Sequence, residues 1–129
     1  MTIKVYSKAK DGNKKLSANF KVKEFACKDG SDPIFIDTEL VNVLQKIREH
    51  FAKPVTITSA YRTPSRNKEV GGTTYSQHLY GKAADIKISG VAPAVVAEYA
   101  ETHLPKGGIG VYNTFTHIDV RSTKSRWQG

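Results

Sequence analysis

Residues 59–82 show little hydrophobic periodicity and are crowded with turn formers: Pro64, Ser65, Asn67, Gly71, Gly72 and Gly81. Strongly patterned segments stand on both sides. Ahead of the stretch, Leu40, Val43, Leu44, Ile47 and Phe51 recur at helical spacing behind Asp37, a residue suited to accept a free N–H at a helix start. This predicts a helix over 38–51, ended by Lys53-Pro54, and a strand at Val55-Thr56-Ile57-Thr58. Behind the stretch, Ala84, Ile86 and Ile88 alternate with Asp85 and Lys87, the pattern of a half-buried strand. A compact domain seldom keeps so long an irregular segment between two strands unless the segment is used.

The rest of the chain follows the same logic. Pro93 opens a second helix with Val95, Val96, Tyr99, Ala100 and Leu104 on its apolar side, and Gly107-Gly108 ends it. Ile109–Tyr112 and Thr116–Val120 read as two strands joined by Asn113-Thr114-Phe115, a hairpin. Earlier, Phe20 and Phe25 are spaced for one buried face of a short element, and Asp29-Gly30-Ser31-Asp32-Pro33 is a turn. Residues 1–16 form a basic arm or strand. The expectation is a single α+β domain over 1–129, with a small, mainly antiparallel sheet flanked by two main helices.

Composition narrows the class. The single Cys27 excludes an intrachain disulfide framework and any CxxC metal site, and is expected to be a small buried hydrophobe. No apolar run approaches a membrane span, and the first residues lack the apolar core of a signal peptide, so the chain is expected to be made in the cytoplasm. The net charge of +8 sits at the ends. Eight lysines oppose Asp11 and Glu24 in residues 1–28, and Arg121, Lys124 and Arg126 meet no acid in 121–129, while 29–120 is close to neutral. Such ends suit polyanions, among them the anionic polymers of a bacterial wall, or serve simply as a solvated surface. Specific nucleic-acid binding is not expected, because no recognition helix or RNA-type aromatic motif accompanies the charge.

The four histidines separate by position. His50 and His103 fall in the last turns of the two predicted helices, where the helix dipole favours them without any catalytic role. His78 lies in the irregular stretch leading to Asp85. On the last strand, alternation buries Ile118 and Val120 and turns His117 and Asp119 to the opposite face. Taken singly, each fits an ordinary surface role. Together, two histidines and two carboxylates on polar faces form an inventory suited to a metal.

Ser76-x-His78-x-x-Gly81-x-Ala83-x-Asp85 followed by His117 resembles the zinc D-alanyl-D-alanine carboxypeptidases and the related L-alanyl-D-glutamate endopeptidases, whose fold is shared by the Hedgehog signalling domain. Ser59-Ala60-Tyr61-Arg62-Thr63-Pro64, Asn67, Val70-Gly71-Gly72 and His117-Ile118-Asp119-Val120 look like the compact prophage-type branch, and the likeness covers about 17–127. The resemblance implies one Zn2+ held by His78, Asp85 and His117. It further implies that Arg62 grips a carboxylate or carbonyl of the substrate and that Ser76 adds a hydrogen bond in the same cleft; Tyr61 and Tyr112 are further substrate contacts and candidate oxyanion donors. The substrate implied is the stem peptide of peptidoglycan, cut by a monomeric phage or prophage lysin or wall-remodelling enzyme.

Many members carry an acidic general base three positions before the second histidine; here that position is Thr114. Asp119 is the first candidate to replace it, because its i+2 relation to His117 points it to the same face. The alternative role for Asp119 is to accept the N–H of a liganding histidine. The missing acid also keeps open a different class of function: a zinc-bearing wall or partner binding module that has lost catalysis.

Overall fold

The computed structural model describes residues 2–129. The N-terminal part holds β1 (Ile3–Ser7), a single helical turn α1 (Lys8–Asp11), β2 (Lys15–Ser17), β3 (Phe20–Lys21), a 3-10 turn at Val22–Phe25 and β4 (Pro33–Asp37). There follow α2 (Thr38–Phe51), β5 (Val55–Ser59), α3 (Pro64–Glu69), a 3-10 turn at Gln77–Tyr80, β6 (Ala83–Ile88) and α4 (Pro93–Ala100). The chain closes with β7 (Gly108–Val111), β8 (Thr116–Asp119) and β9 (Ser125–Gln128). The architecture is α+β, as expected.

The main sheet runs β5-β6-β8-β7-β9, antiparallel throughout except for the β7–β9 pair. β1 pairs with β4, and β2 with β3, as separate two-stranded ribbons. The basic arm is thus a laid-down strand followed by a turn of helix. The two main helices lie side by side rather than on opposite sides of the sheet. Leu40, Leu44 and Ile47 of α2 share one core with Val96 and Ala100 of α4 and with Ile86, Ile109 and Ile118 of the sheet. Each of the large ones contributes about 1.5–3 kcal/mol of hydrophobic stabilisation relative to exposure. The other sheet face is left to Asp85, His117 and the residues around them.

Helix α2 begins where the sequence predicts, with Asp37 Oδ1 accepting the Glu39 N–H at 2.9 Å. Four local features differ from expectation. Residues 59–82 contain α3 and a 3-10 turn, each too short to show a period. β4 escaped notice because it runs straight into the N-cap of α2. α4 stops at Ala100, so His103 lies beyond the helix, where Leu104 reaches the core from the following turn. Val95, assigned to the apolar side of that helix, is 48% exposed, because Val96 and Ala97 face the core instead.

Candidate metal centre

The irregular stretch delivers His78 by a short device. Ser76 Oγ accepts the His78 N–H at 3.3 Å and starts the 3-10 turn. Gly81 ends it at φ 72°, the left-handed region open to glycine, with its α-carbon packed so close to the Phe35 carbonyl that a Cβ would collide. The turn therefore sits against β4, and His78 is buried. Its Nδ1 lies 2.7 Å from the Ala60 carbonyl. A carbonyl can only accept, so Nδ1 donates a hydrogen there and Nε2 is the nitrogen turned to the centre. It stands 3.4 Å from Asp85 Oδ1.

Strand register brings the other two residues. Asp85 of β6 stands opposite His117 of β8, and His117 Nδ1 lies 3.0 Å from Asp85 Oδ1. One donor atom from each of His78, Asp85 and His117 falls within 4.8 Å of the other two. All three side chains are buried, at 3%, 6% and 7% exposure. Burial pushes the Asp85 carboxyl up, but hydrogen bonds from His117 and His78 outweigh it and hold the group well below the ordinary carboxylate range. Two imidazole nitrogens and one carboxylate oxygen, converging on a point at the floor of a cleft, make a donor set that fits zinc.

Asp119 lies behind this centre, not inside it. It is fully buried, with Oδ2 2.8 Å from His117 Nε2. Arg121 grips both of its oxygens, Nε to Oδ1 at 2.8 Å and Nη2 to Oδ2 at 2.6 Å, and the Gly108 N–H adds 2.9 Å to Oδ1. Burial raises the Asp119 carboxyl, and the bonds from His117 and Arg121 more than reverse that. For His117, burial disfavours the charged ring, but Asp119 and Asp85 on its two nitrogens lift its pKa above the usual imidazole value. Asp119 thus holds the outer nitrogen and leaves Nδ1 to face the centre.

The cleft measures about 540 Å³ and exposes Arg62, Ser76, His78, Asp85, Tyr112 and His117. Arg62 is committed on three sides: to Ser59 Oγ at 3.1 Å, Asn67 Oδ1 at 3.3 Å and Asp85 Oδ2 at 3.5 Å. Buried Asn67 in turn holds the Thr73 carbonyl at 2.8 Å, tying Arg62 to the loop that walls the cleft. Tyr61, expected among the substrate contacts, does not line the cleft; its ring packs on Phe35 at 5.2 Å. Thr114 is exposed on the β7–β8 turn and lines a different recess, with Thr56, Lys87 and Pro93. Asp85 is accordingly the one carboxylate lining the cleft among the described residues.

Sequence reasoning missed the second wall. β9 places Trp127 against β7 in register with Gly110, whose missing side chain leaves room for the indole. Trp127 stands 4.9 Å from the His117 ring and Arg121 lies over it at 5.4 Å. The available signal was the alternation of Ser125, Arg126 and Trp127, too short to stand out in a basic tail.

Comparison with known proteins agrees with this geometry. The family pattern described as Peptidase M15 matches residues 17–119. A zinc D-Ala-D-Ala carboxypeptidase of Streptomyces albus G is 31% identical over 70 residues, covering 51% of this chain and 28% of that protein. A probable peptidoglycan L,D-endopeptidase, MepK of Haemophilus influenzae, is 34% identical over 82 residues, covering 58% of this chain and 43% of the relative. The matched stretches therefore span less than half the length of either relative.

Proposed function

The chain belongs to the Peptidase M15 family, and we propose that it is a zinc-dependent peptidase acting on the stem peptides of peptidoglycan. The observation that supports this most is the convergence of His78 Nε2, Asp85 and His117 Nδ1 at the floor of an open cleft. In this reading one domain, working as a monomer, carries the whole reaction; likeness to the compact prophage-type branch favours a lysin role. Whether a terminal or an internal bond is cut follows the two relatives, one named for each chemistry.

His78, Asp85 and His117 would hold the ion. Zinc bound there would supply a water acidified to a pKa of about 7 and an electrophile for the scissile carbonyl. The chain's own residues do the rest. The Ala60 carbonyl sets the His78 tautomer, and Asp119, pinned by Arg121, sets that of His117. Arg62 touches Asp85 Oδ2 at 3.5 Å and offers its remaining N–H groups to a substrate carbonyl or carboxylate. Ser76 and Tyr112 add hydroxyls on the two walls. The geometry favours the histidine-orienting role for Asp119 over the base role, because both its oxygens are occupied and none reaches the open side.

A second reading keeps some support from one observation: among the described residues no carboxylate other than Asp85 lines the cleft. A zinc-holding wall-binding module without catalysis would look like this. Mass spectrometry of defined muropeptides incubated with zinc-loaded protein separates the two. The peptidase reading expects cleavage that is lost in His78→Ala; wall binding with intact peptides would establish the module instead.

A further inference from the structure

We infer that Tyr112 donates a hydrogen bond to the reacting carbonyl oxygen of the substrate, and that Trp127 is the positioning residue that leaves its phenol free to do so. The inference rests on the reading of the cleft as a peptidase site. Its origin is the hydrogen-bond inventory of two side chains. An indole N–H can only donate. Trp127 Nε1 lies 2.8 Å from the Tyr112 hydroxyl, so the phenol oxygen is the acceptor there and its own proton points elsewhere. No acceptor among the described residues takes that proton.

The surroundings direct it to the cleft. Tyr112 lines the same cavity as Arg62 and the three candidate ligands. Arg62 and Arg121 are donors only and cannot receive the phenol proton. Asp85, the one carboxylate there, already receives His78, His117 and Arg62. Among the described residues no cleft hydroxyl or amide bonds the phenol, so in the open cleft its proton goes to water, which a substrate oxygen can replace.

The pair is also rigid. The Tyr112 ring stacks on Phe115 with centroids 4.4 Å apart and planes 10° from parallel. Trp127 lies on the bare backbone of Gly110. On the opposite face of β9, Arg126 anchors the strand to Glu101 at 2.9 Å and to the Gly107 and Leu104 carbonyls at 2.7 and 2.6 Å. A donor held before the substrate arrives needs no reorganisation as charge develops on the carbonyl oxygen, which is why fixed donors of this kind are effective.

The chain has one tryptophan, so its indole N–H gives one NMR resonance in the metal-free protein. Tyr112→Phe is expected to move that resonance and speed its exchange with water; an unchanged signal overturns the inference. In the zinc-loaded protein, Tyr112→Phe and Trp127→Phe are each expected to lower kcat roughly 10-fold or more, with KM and zinc content little changed. The double variant should be no slower than Tyr112→Phe, since Trp127 acts through the phenol. Wild-type kcat in Tyr112→Phe, or losses that multiply in the double variant, would overturn it. An indole resonance that moves in Tyr112→Phe, together with zinc-loaded wild-type protein that cuts no stem peptide, would strike at the peptidase reading instead.

Discussion

At the scale of single residues, His117 decides most, because its two nitrogens do different things. Nε2 answers Asp119 and Nδ1 answers Asp85 and the candidate metal. Asp119→Asn is expected to weaken zinc binding about 10–100-fold, since the outer carboxylate fixes the ring and raises its basicity. Competition with a chromogenic chelator measures this, and unchanged affinity would return Asp119 to the base role. The pH dependence has a definite sign. Metal-free His117 has a raised pKa, so it is protonated at and below its ordinary value of 6.5, and binding must expel that proton. Apparent zinc affinity should therefore fall as pH drops through that raised value, with proton release on loading measurable in weakly buffered solution. His78, Asp85 and His117 were legible as residues, from motif and alternation. Which nitrogen each ring presents was not, because that is set by the Ala60 carbonyl and by Asp119, partners identified by folding alone.

At the scale of elements, the strongly patterned segments were the readable ones. α2 was marked by five apolar residues at helical spacing and by its cap. Asp37→Ala is expected to cost about 1 kcal/mol in urea unfolding, and Asp37→Asn less, since an amide oxygen can still accept the Glu39 N–H. The elements that escaped are short or end at their neighbours: β4 runs into α2, α3 spans six residues, and β9 is a strand in a basic tail. None is long enough to display a period, and β9 gains its identity from pairing with β7. These quiet elements matter to the site. β4 supports the Gly81 turn that carries His78, and β9 brings Trp127 to the second wall.

At the scale of the whole molecule, the core and the site share one sheet from opposite faces. Zinc binding should therefore be felt by global stability. At free zinc 100 times its Kd, linkage adds about 2.7 kcal/mol to unfolding, and chelation should lower the melting temperature accordingly. A melting temperature indifferent to zinc and chelator would count against a folded-state site. Among the described residues no helix is long and apolar enough to cross a membrane, and the lysines of the N-terminal part remain a surface feature away from the cleft.

Local pattern alone carried the α+β class, the main helix and the strands of Asp85 and His117, because periodicity is written residue by residue. The candidate ligands came from the likeness of the Ser76–Asp85 motif and His117 to a known family. Folding alone set Asp119 behind His117, left Thr114 and Tyr61 outside the cleft, and made Trp127 part of its second wall. Those outcomes depend on strand register and on the burial of partners far apart in the chain, which no local pattern contains.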